Sequence, residues 1–347
     1  MTIFERKRLG KPAVHAFPAL PANALPEDAA KFTPPVPAAP YQPEILTGRP
    51  IYLAWNGYMF DAGRKLLDAS LNPRTSKGVS DKIRRKTHRQ MAISGLIPVN
   101  YDERFVVTDR STRAYYHWMT EALAKMFLVG EEVNGASFLL PAAYRDIAHV
   151  LRSLELIGHS RVDYVPKLRM ARIATGHLVT PTAPLGPGLA CHDGDLLGRM
   201  ARRMIDALPD GSPGGRGEKL FISRAKAARR HLVNEAEVQA LLEGNGFTTI
   251  HFEDHALDEQ IRIMAGARVV VSQHGAGLAN TIFMKPGGTV VEITGRHIDD
   301  ITYFQLARAL GHDYLYINGD VGDAPALNQH ADMIVPVDAL NTVLQQI

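Results

Sequence analysis

The 347-residue sequence contains a single cysteine, Cys191. One thiol excludes an intramolecular disulfide and a zinc site built from spaced cysteine pairs, and it fits a reducing compartment, so a cytoplasmic protein is expected. No run approaches the ~20 apolar residues of a membrane-spanning helix. The Lys- and Arg-bearing start of the chain is followed by no apolar segment of the secretory kind. Neither a span nor a secretory leader is therefore expected. Net charge is also small: 39 Lys plus Arg against 36 Asp plus Glu leave +3. That gives no argument for nucleic acid as a partner, and any anion binding must be local. A Gly-x-Ser-x-Gly elbow, a Walker loop and the HExxH order are all missing.

What remains is an ordinary globular composition, 46% hydrophobic and 22% charged, which buries a core. The length favours two domains. Residues 1–50 read as an extension, because residues 11–50 are rich in Pro and Ala and suit an extended arm lying over the surface or mobile. Residues 51–208 read as a first α/β domain, with strand candidates at 51–55, 104–108, 137–140 and 162–165 and helical patterns at 115–129 and 142–157. The basic run Lys82-Ile83-Arg84-Arg85-Lys86-Thr87-His88-Arg89 within it is read as a solvated face, with peripheral contact to anionic lipid as the alternative.

After Pro- and Gly-rich clusters at 181–188 and 209–215, residues 216–347 become regular. Strands are expected at 219–223, 247–252, 268–272, 289–293 and 313–317, and helices at 235–243, 258–265, 278–284 and 301–310. Strict β–α alternation predicts a parallel sheet wrapped by helices on both faces, a Rossmann-like domain. Asn234 is placed as the N-cap of its first helix, with Glu237 completing a capping box and Val233 and Val238 a hydrophobic staple.

The strongest local signal is Val269-Val270-Val271-Ser272-Gln273-His274-Gly275-Ala276-Gly277-Leu278-Ala279-Asn280. A buried strand runs into glycines and then a helix, the geometry in which backbone N–H groups approach a diphosphate. His274 would donate to phosphate or sugar oxygen; its alternative is a histidine satisfied by backbone carbonyls. Arg224 follows the first strand of this half, where ligands bind in open α/β sheets, and a guanidinium there neutralises a diphosphate bidentately. Lys226, Arg229 and Arg230 are candidates for the same anion. Glu292, at the end of another strand, would accept from ribose or sugar hydroxyls, or else is a surface carboxylate. In the first half His117 and Glu121 stand one turn apart on one helix face, as a candidate general base or a structural pair. Asp193-Gly194-Asp195 matches a DxD pattern, but reads better as the N-cap of the helix at 196–208, so no metal or other cofactor is expected.

Taken together, His117-Trp118-x-x-Glu121, Phe221-Ile222-Ser223-Arg224, Asn234-Glu235, Glu259-Gln260-Ile261, His274-Gly275-Ala276-Gly277-Leu278-x-Asn280-x-x-Phe283-Met284, Pro286-Gly287 and Val291-Glu292-Ile293 resemble family 61 of the glycosyltransferases in order and spacing. The resemblance implies a GT-B-like fold, two Rossmann-like domains facing across a cleft. It implies an inverting, metal-independent transfer from a nucleoside-diphosphate sugar, most often a UDP-sugar, to a hydroxyl of a glycan or glycolipid acceptor. Bacterial members of the family are associated with surface polysaccharide. On that resemblance Glu121 or His117 is the base. Arg224, Arg230, Asn234, His274, Gly275, Ala276, Gly277, Leu278, Asn280 and Glu292 hold the donor. Two other readings stay open: a nucleotide-sugar epimerase or hydrolase of similar fold, and a non-catalytic nucleotide-sugar or glycan-binding subunit of a polysaccharide assembly complex.

Overall fold

The apolar runs of the sequence become two sheets. A computed structural model describes residues 4–10, 20–33, 42–67, 98–109, 111–181, 192–210, 215–295, 298, 300–321 and 331–347. Cys191 and the basic run at 82–89 lie outside the described residues. The chain divides into two compact units: Met1–His15 with Ala39–Pro187, and Ala16–Ala38 with Gly188–Ile347.

The first unit holds β1 (Glu5–Arg8), β2 (Pro43–Gly48), β3 (Ile51–Ala54), β4 (Met59–Phe60), β5 (Val99–Val106), β6 (Phe138–Leu140), β7 (Val162–Tyr164) and β8 (Met170–Pro181). The sheet order is β1-β2-β8-β5-β6-β7, with β3 between β8 and β4. Strands β8, β5, β6 and β7 run parallel, while β2 and β3 pair antiparallel with successive halves of the long β8. A mixed sheet replaces the wholly Rossmann-like pattern expected for this half. It also takes in part of the Pro-rich segment: Pro43 occupies the first position of β2, where its missing N–H costs least. Ile45 is buried there. Gly176 in β8 leaves room for Ile51, whose Cβ would lie 2.9 Å from a Cβ at that position.

The second unit holds β9 (Lys219–Ile222), β10 (Thr248–Ile250), β11 (Val269–Gln273), β12 (Thr289–Gly295) and β13 (Asp313–Gly319), all parallel in the order β10-β9-β11-β12-β13. In chain order this is 2-1-3-4-5, the doubly wound arrangement in which strand order reverses between the first and third strands. The helices, numbered along the whole chain, are α1 (Ala29–Phe32), α2 (Tyr115–His117), α3 (Leu123–Glu132), α4 (Ala148–Leu156), α5 (Gly194–Asp206), α6 (Glu235–Gly244), α7 (Leu257–Gly266), α8 (Thr302–Ala309) and α9 (Val337–Leu344). On one face of the second sheet, Val238 and Leu242 of α6 and Leu340 and Val343 of α9 pack on Phe221, Val271, Val291, Ile293 and Leu315. Strands buried on both faces carry continuous apolar runs rather than alternation, which is why this half was legible from its sequence.

Three local expectations change. Residues 276–283 form a 3-10 helix (Ala276–Phe283), tightened by the Thr281 hydroxyl donating to the Leu278 carbonyl at 2.8 Å. Asn234 does not cap α6 with its side chain. Its amide instead clips residue 335, donating to the Val335 carbonyl and accepting from its N–H, both at 2.9 Å. Val233 is 67% exposed, so the staple does not form. The N-cap at Asp193 is present, its carboxylate accepting from Leu196 N–H at 3.0 Å. A Cβ on Gly194 would fall 2.6 Å from the Ala309 carbonyl carbon, so this glycine serves a close helix approach. Asp195 pairs with Arg199.

Residues 20–33 belong to the second unit and close its open edge. The Asn23 amide donates to the Tyr316 carbonyl at 2.7 Å and accepts from its N–H at 3.2 Å, pairing the edge peptide of β13 as a further strand would. Asp28 accepts from Tyr316 Oη and Asn318 Nδ2, and Phe32 packs between Phe304 and Tyr316.

Candidate functional site

In an open parallel sheet ligands bind beyond the carboxyl ends of the strands, at the point where strand order reverses. Here that point lies between β9 and β11. Arg224 leaves the end of β9 and the His274-Gly275 loop leaves the end of β11, so two residues 50 positions apart in sequence are brought together by pairing of Val271 with Phe221 and Ser272 with Ile222. The Ser272 hydroxyl donates to the Ile222 carbonyl at 3.0 Å and fixes the two strand ends. The guanidinium packs directly on Gly275: a Cβ there would lie 2.7 Å from Arg224 Cζ, well inside van der Waals contact, and would displace it.

The electrostatics of this corner are unusual. Arg224 donates from Nη2 to the Arg229 carbonyl at 3.2 Å, but its Nε is buried without a hydrogen-bond partner among the described residues, and so is the Nε of Arg230. Neither guanidinium makes an ion pair among the described residues. Burial pushes the pKa of Arg224 down, and the neighbouring charge of Arg230 pushes it further. Burial also lowers Arg230, against the partial offset of Tyr303 and Glu292. Arg230 further holds a left-handed backbone, φ 60°, which costs an L-residue about 1–2 kcal/mol. Two half-buried cations whose charges disfavour each other make this corner of the sheet electropositive. Lys226, by contrast, is spent on Asp254.

His274 and Glu292 form one buried unit. Ser272 pairs with Glu292 across β11 and β12, and the imidazole Nδ1–H donates to Glu292 Oε1 at 2.5 Å. Glu292 Oε2 accepts from Tyr314 Oη at 2.7 Å. Glu292 is 1% exposed, and with both oxygens engaged it holds His274 rather than presenting itself to a ribose. Tyr303 meets the imidazole edge-on at 5.1 Å. Burial raises the pKa of both tyrosines, which keeps them protonated.

Within the loop, Leu278 N–H is committed to the Gly275 carbonyl at 3.0 Å, while no loop or turn hydrogen bond engages the amides of Gly275, Ala276 and Gly277 among the described residues. Asn280 is fully buried and donates to Gln260 Oε1 at 3.0 Å, while Gln260 donates to the Phe252 and His255 carbonyls. Asn280 thus braces the loop against α7 instead of lining it. Gln273 was not singled out in the sequence. It is 1% exposed with both amide atoms lacking a partner among the described residues; the alternation of β11 places it on the face of Val269 and Val271, and the one legible signal was a polar residue closing a buried strand.

In the first unit His117 Nδ1 and Glu121 Oε1 are 2.8 Å apart, on the helix that follows parallel strand β5. Between α2 and α3 the backbone widens into a π turn, Trp118–Ala122, with Leu123 N–H donating to the Trp118 carbonyl five residues back. Such turns are rare and concentrate at functional sites. Fully buried Trp118 anchors it by donating Nε1–H to Ser153 Oγ at 2.8 Å. The His117–Glu121 contact predicted from spacing is thus present, on half-buried side chains.

The second unit is, by its strand order, an α/β domain of the doubly wound class. The family description Glycosyltransferase 61 matches residues 115–291, about half of the chain, which takes in His117, Glu121, Arg224, Arg230 and the His274–Gly277 loop. The chain belongs to the glycosyltransferase 61 family. Among its relatives is protein O-linked-mannose beta-1,4-N-acetylglucosaminyltransferase 2 of Pan troglodytes, 30% identical over 203 residues, covering 56% of this chain and 35% of the relative. The proteins of the same name from Homo sapiens and Mus musculus are 30% and 29% identical over similar lengths. The chain spans about a third of the length of these relatives.

Proposed function

We propose that this chain is an inverting, metal-independent glycosyltransferase of GT-B type, whose second unit binds a nucleoside-diphosphate sugar, a UDP-sugar in the first instance, through Arg224, Arg230 and the Gly275–Gly277 amides. The observation that carries the reading is the pair of half-buried guanidiniums, each with a buried Nε and without an ion-pair partner among the described residues, with that of Arg224 packed against Gly275. Two fixed positive charges supply the countercharge that a departing diphosphate needs, which supports a transfer without a metal.

In this mechanism the acceptor hydroxyl loses its proton to the His117–Glu121 pair as its oxygen attacks the anomeric carbon. The bond from that carbon to the diphosphate oxygen breaks with its electron pair, and the new charge falls to Arg224 and Arg230. The relatives' name says of them that they add N-acetylglucosamine to a mannose; for this chain it supports a sugar hydroxyl as acceptor. A role in surface polysaccharide, in the cytoplasm with peripheral membrane contact, rests on the family resemblance alone, and the relatives found are animal enzymes. The test is transfer from UDP-, GDP-, CMP- and dTDP-sugars to mono- and oligosaccharides, followed by mass spectrometry. Arg224→Ala should raise donor KM and lower kcat, and Glu121→Gln should lower kcat alone. Unchanged kinetics for Arg224→Ala and His274→Ala would overturn the assignment. Conversion of the donor without any acceptor would favour an epimerase or hydrolase, and donor binding without turnover a binding subunit.

A further inference from the structure

The hydrogen-bond chain Tyr314–Glu292–His274 does more than the donor site strictly requires. A buried carboxylate that accepts from two donors is expensive to assemble, and here it fixes the tautomer of one imidazole. With Nδ1–H directed into Glu292, Nε2 is the nitrogen left for a ligand. Tyr314 is deeply buried and its hydroxyl stays protonated, donating to Glu292.

Several charged or titratable groups lie in or beside this unit. Glu292 from β12 bonds His274, with Tyr314 from β13 behind it, and the edge of Tyr303 from α8 meets the imidazole. From the loop after β9, Arg224 abuts the neighbouring Gly275, and Arg230 interacts electrostatically with Tyr303, Glu292 and Asp300. The positive charge of the two arginines opposes an imidazolium at His274, and Glu292 favours it. A dianionic diphosphate seated on the arginines offsets their charge and tips the balance toward protonation.

We propose that Glu292 and Tyr314 are positioning residues that make His274 take up a proton when a diphosphate binds, so that its Nε2–H donates to the diphosphate oxygen as the sugar leaves. The proton comes from solvent. The bond that breaks is that between the anomeric carbon and the diphosphate oxygen, whose electron pair stays on that oxygen; the imidazolium hydrogen-bonds to it, and the proton returns to solvent or departs with the nucleoside diphosphate. The acceptor's own proton goes to the base on the first unit. The inference rests on the diphosphate reading of the Arg224 loop.

Binding calorimetry with UDP-glucose, UDP-N-acetylglucosamine and GDP-mannose tests it, because the diphosphate of these probes does not itself titrate near neutral pH. Measured near pH 7.5 in buffers of different ionisation enthalpy, the heats report protons taken up per site. The wild-type protein should show net uptake with whichever probe binds. Glu292→Gln and His274→Asn should still bind but lose the uptake, and Tyr314→Phe should reduce it and restore it at lower pH. Binding without uptake in the wild type, or uptake that survives Glu292→Gln, overturns the proton-loading role and leaves the diphosphate site standing. Failure of all three probes to bind overturns both. Should Glu292→Gln fail to fold, the Tyr314→Phe and His274→Asn measurements decide the matter.

Discussion

Gly275→Ala is the sharpest perturbation, because its effect is predicted to pass through a residue it does not encode. Gly275 has an extended backbone, φ 172°, which alanine adopts without strain, so folding should be intact. The added Cβ, however, would fall 2.7 Å from Arg224 Cζ, where carbon–carbon contacts sit at ~3.5–4.0 Å. The guanidinium must move by roughly 1 Å, enough to break a well-aligned hydrogen bond to an anion. A hydrogen bond to a charged group contributes about 1.5–3 kcal/mol, so nucleoside-diphosphate affinity should fall about 10- to 100-fold. Titration calorimetry measures this directly, with the melting temperature of the unliganded protein as control. A double-mutant cycle completes the test: on an Arg224→Ala background the Gly275→Ala change should cost almost nothing further. Wild-type affinity for Gly275→Ala, or losses that simply add to those of Arg224→Ala, would refute the reasoning.

Other consequences follow from the same structure. Burial lowers the pKa of His312, His149 and His159, so the folded chain binds fewer protons than the unfolded one once pH falls below the ordinary histidine value of 6.5. Stability should be full above that value and decline below it, by up to about 1.4 kcal/mol per pH unit for each such histidine; urea melts between pH 7.5 and 5 should show a shallower decline for His312→Gln. Phe32→Ala removes a ring that is 2% exposed between Phe304 and Tyr316 and should destabilise the second unit by about 3 kcal/mol; an unchanged melting temperature would mean that residues 20–33 do not hold that edge in solution. Gln273→Met replaces a buried amide that has no partner among the described residues and should stabilise the unliganded chain by about 1 kcal/mol in denaturant titration; a loss of stability would show that the amide is already satisfied.

Much of the second unit was legible because parallel strands buried on both faces must be apolar throughout, as in Val269-Val270-Val271, and because Arg224 and Gly275 each follow such a strand. That they touch could not be read along the chain, since it depends on β9 and β11 being neighbours although β10 lies between them in sequence. The same holds for Glu292: strand-end position suggested a ligand-facing carboxylate, whereas the β11–β12 register sets it against His274, and Tyr314 occupies its other oxygen. Asn234 and Asn280 carry residue types that suit caps and ligands equally well, and only tertiary contacts show them to be braces. In the first unit β2 was hidden by proline-rich neighbours and the 12-residue β8 by Gly176 and mixed polarity, which the antiparallel partners β2 and β3 make tolerable. The His117–Glu121 pair was legible from helical spacing; the π turn that carries it was not, because no residue type marks one.

The central claim is that Arg224 and Arg230 hold the diphosphate of a nucleotide donor. Calorimetric comparison of each nucleoside diphosphate with its parent nucleoside, in wild type and in Arg224→Ala/Arg230→Ala, tests it most directly. The account predicts that one diphosphate binds at least about 100-fold more tightly than its nucleoside, two charge-assisted contacts being worth about 3 kcal/mol or more, and that the double variant erases the difference. Equal affinity for nucleoside and diphosphate, or a preference that persists without both arginines, would contradict it.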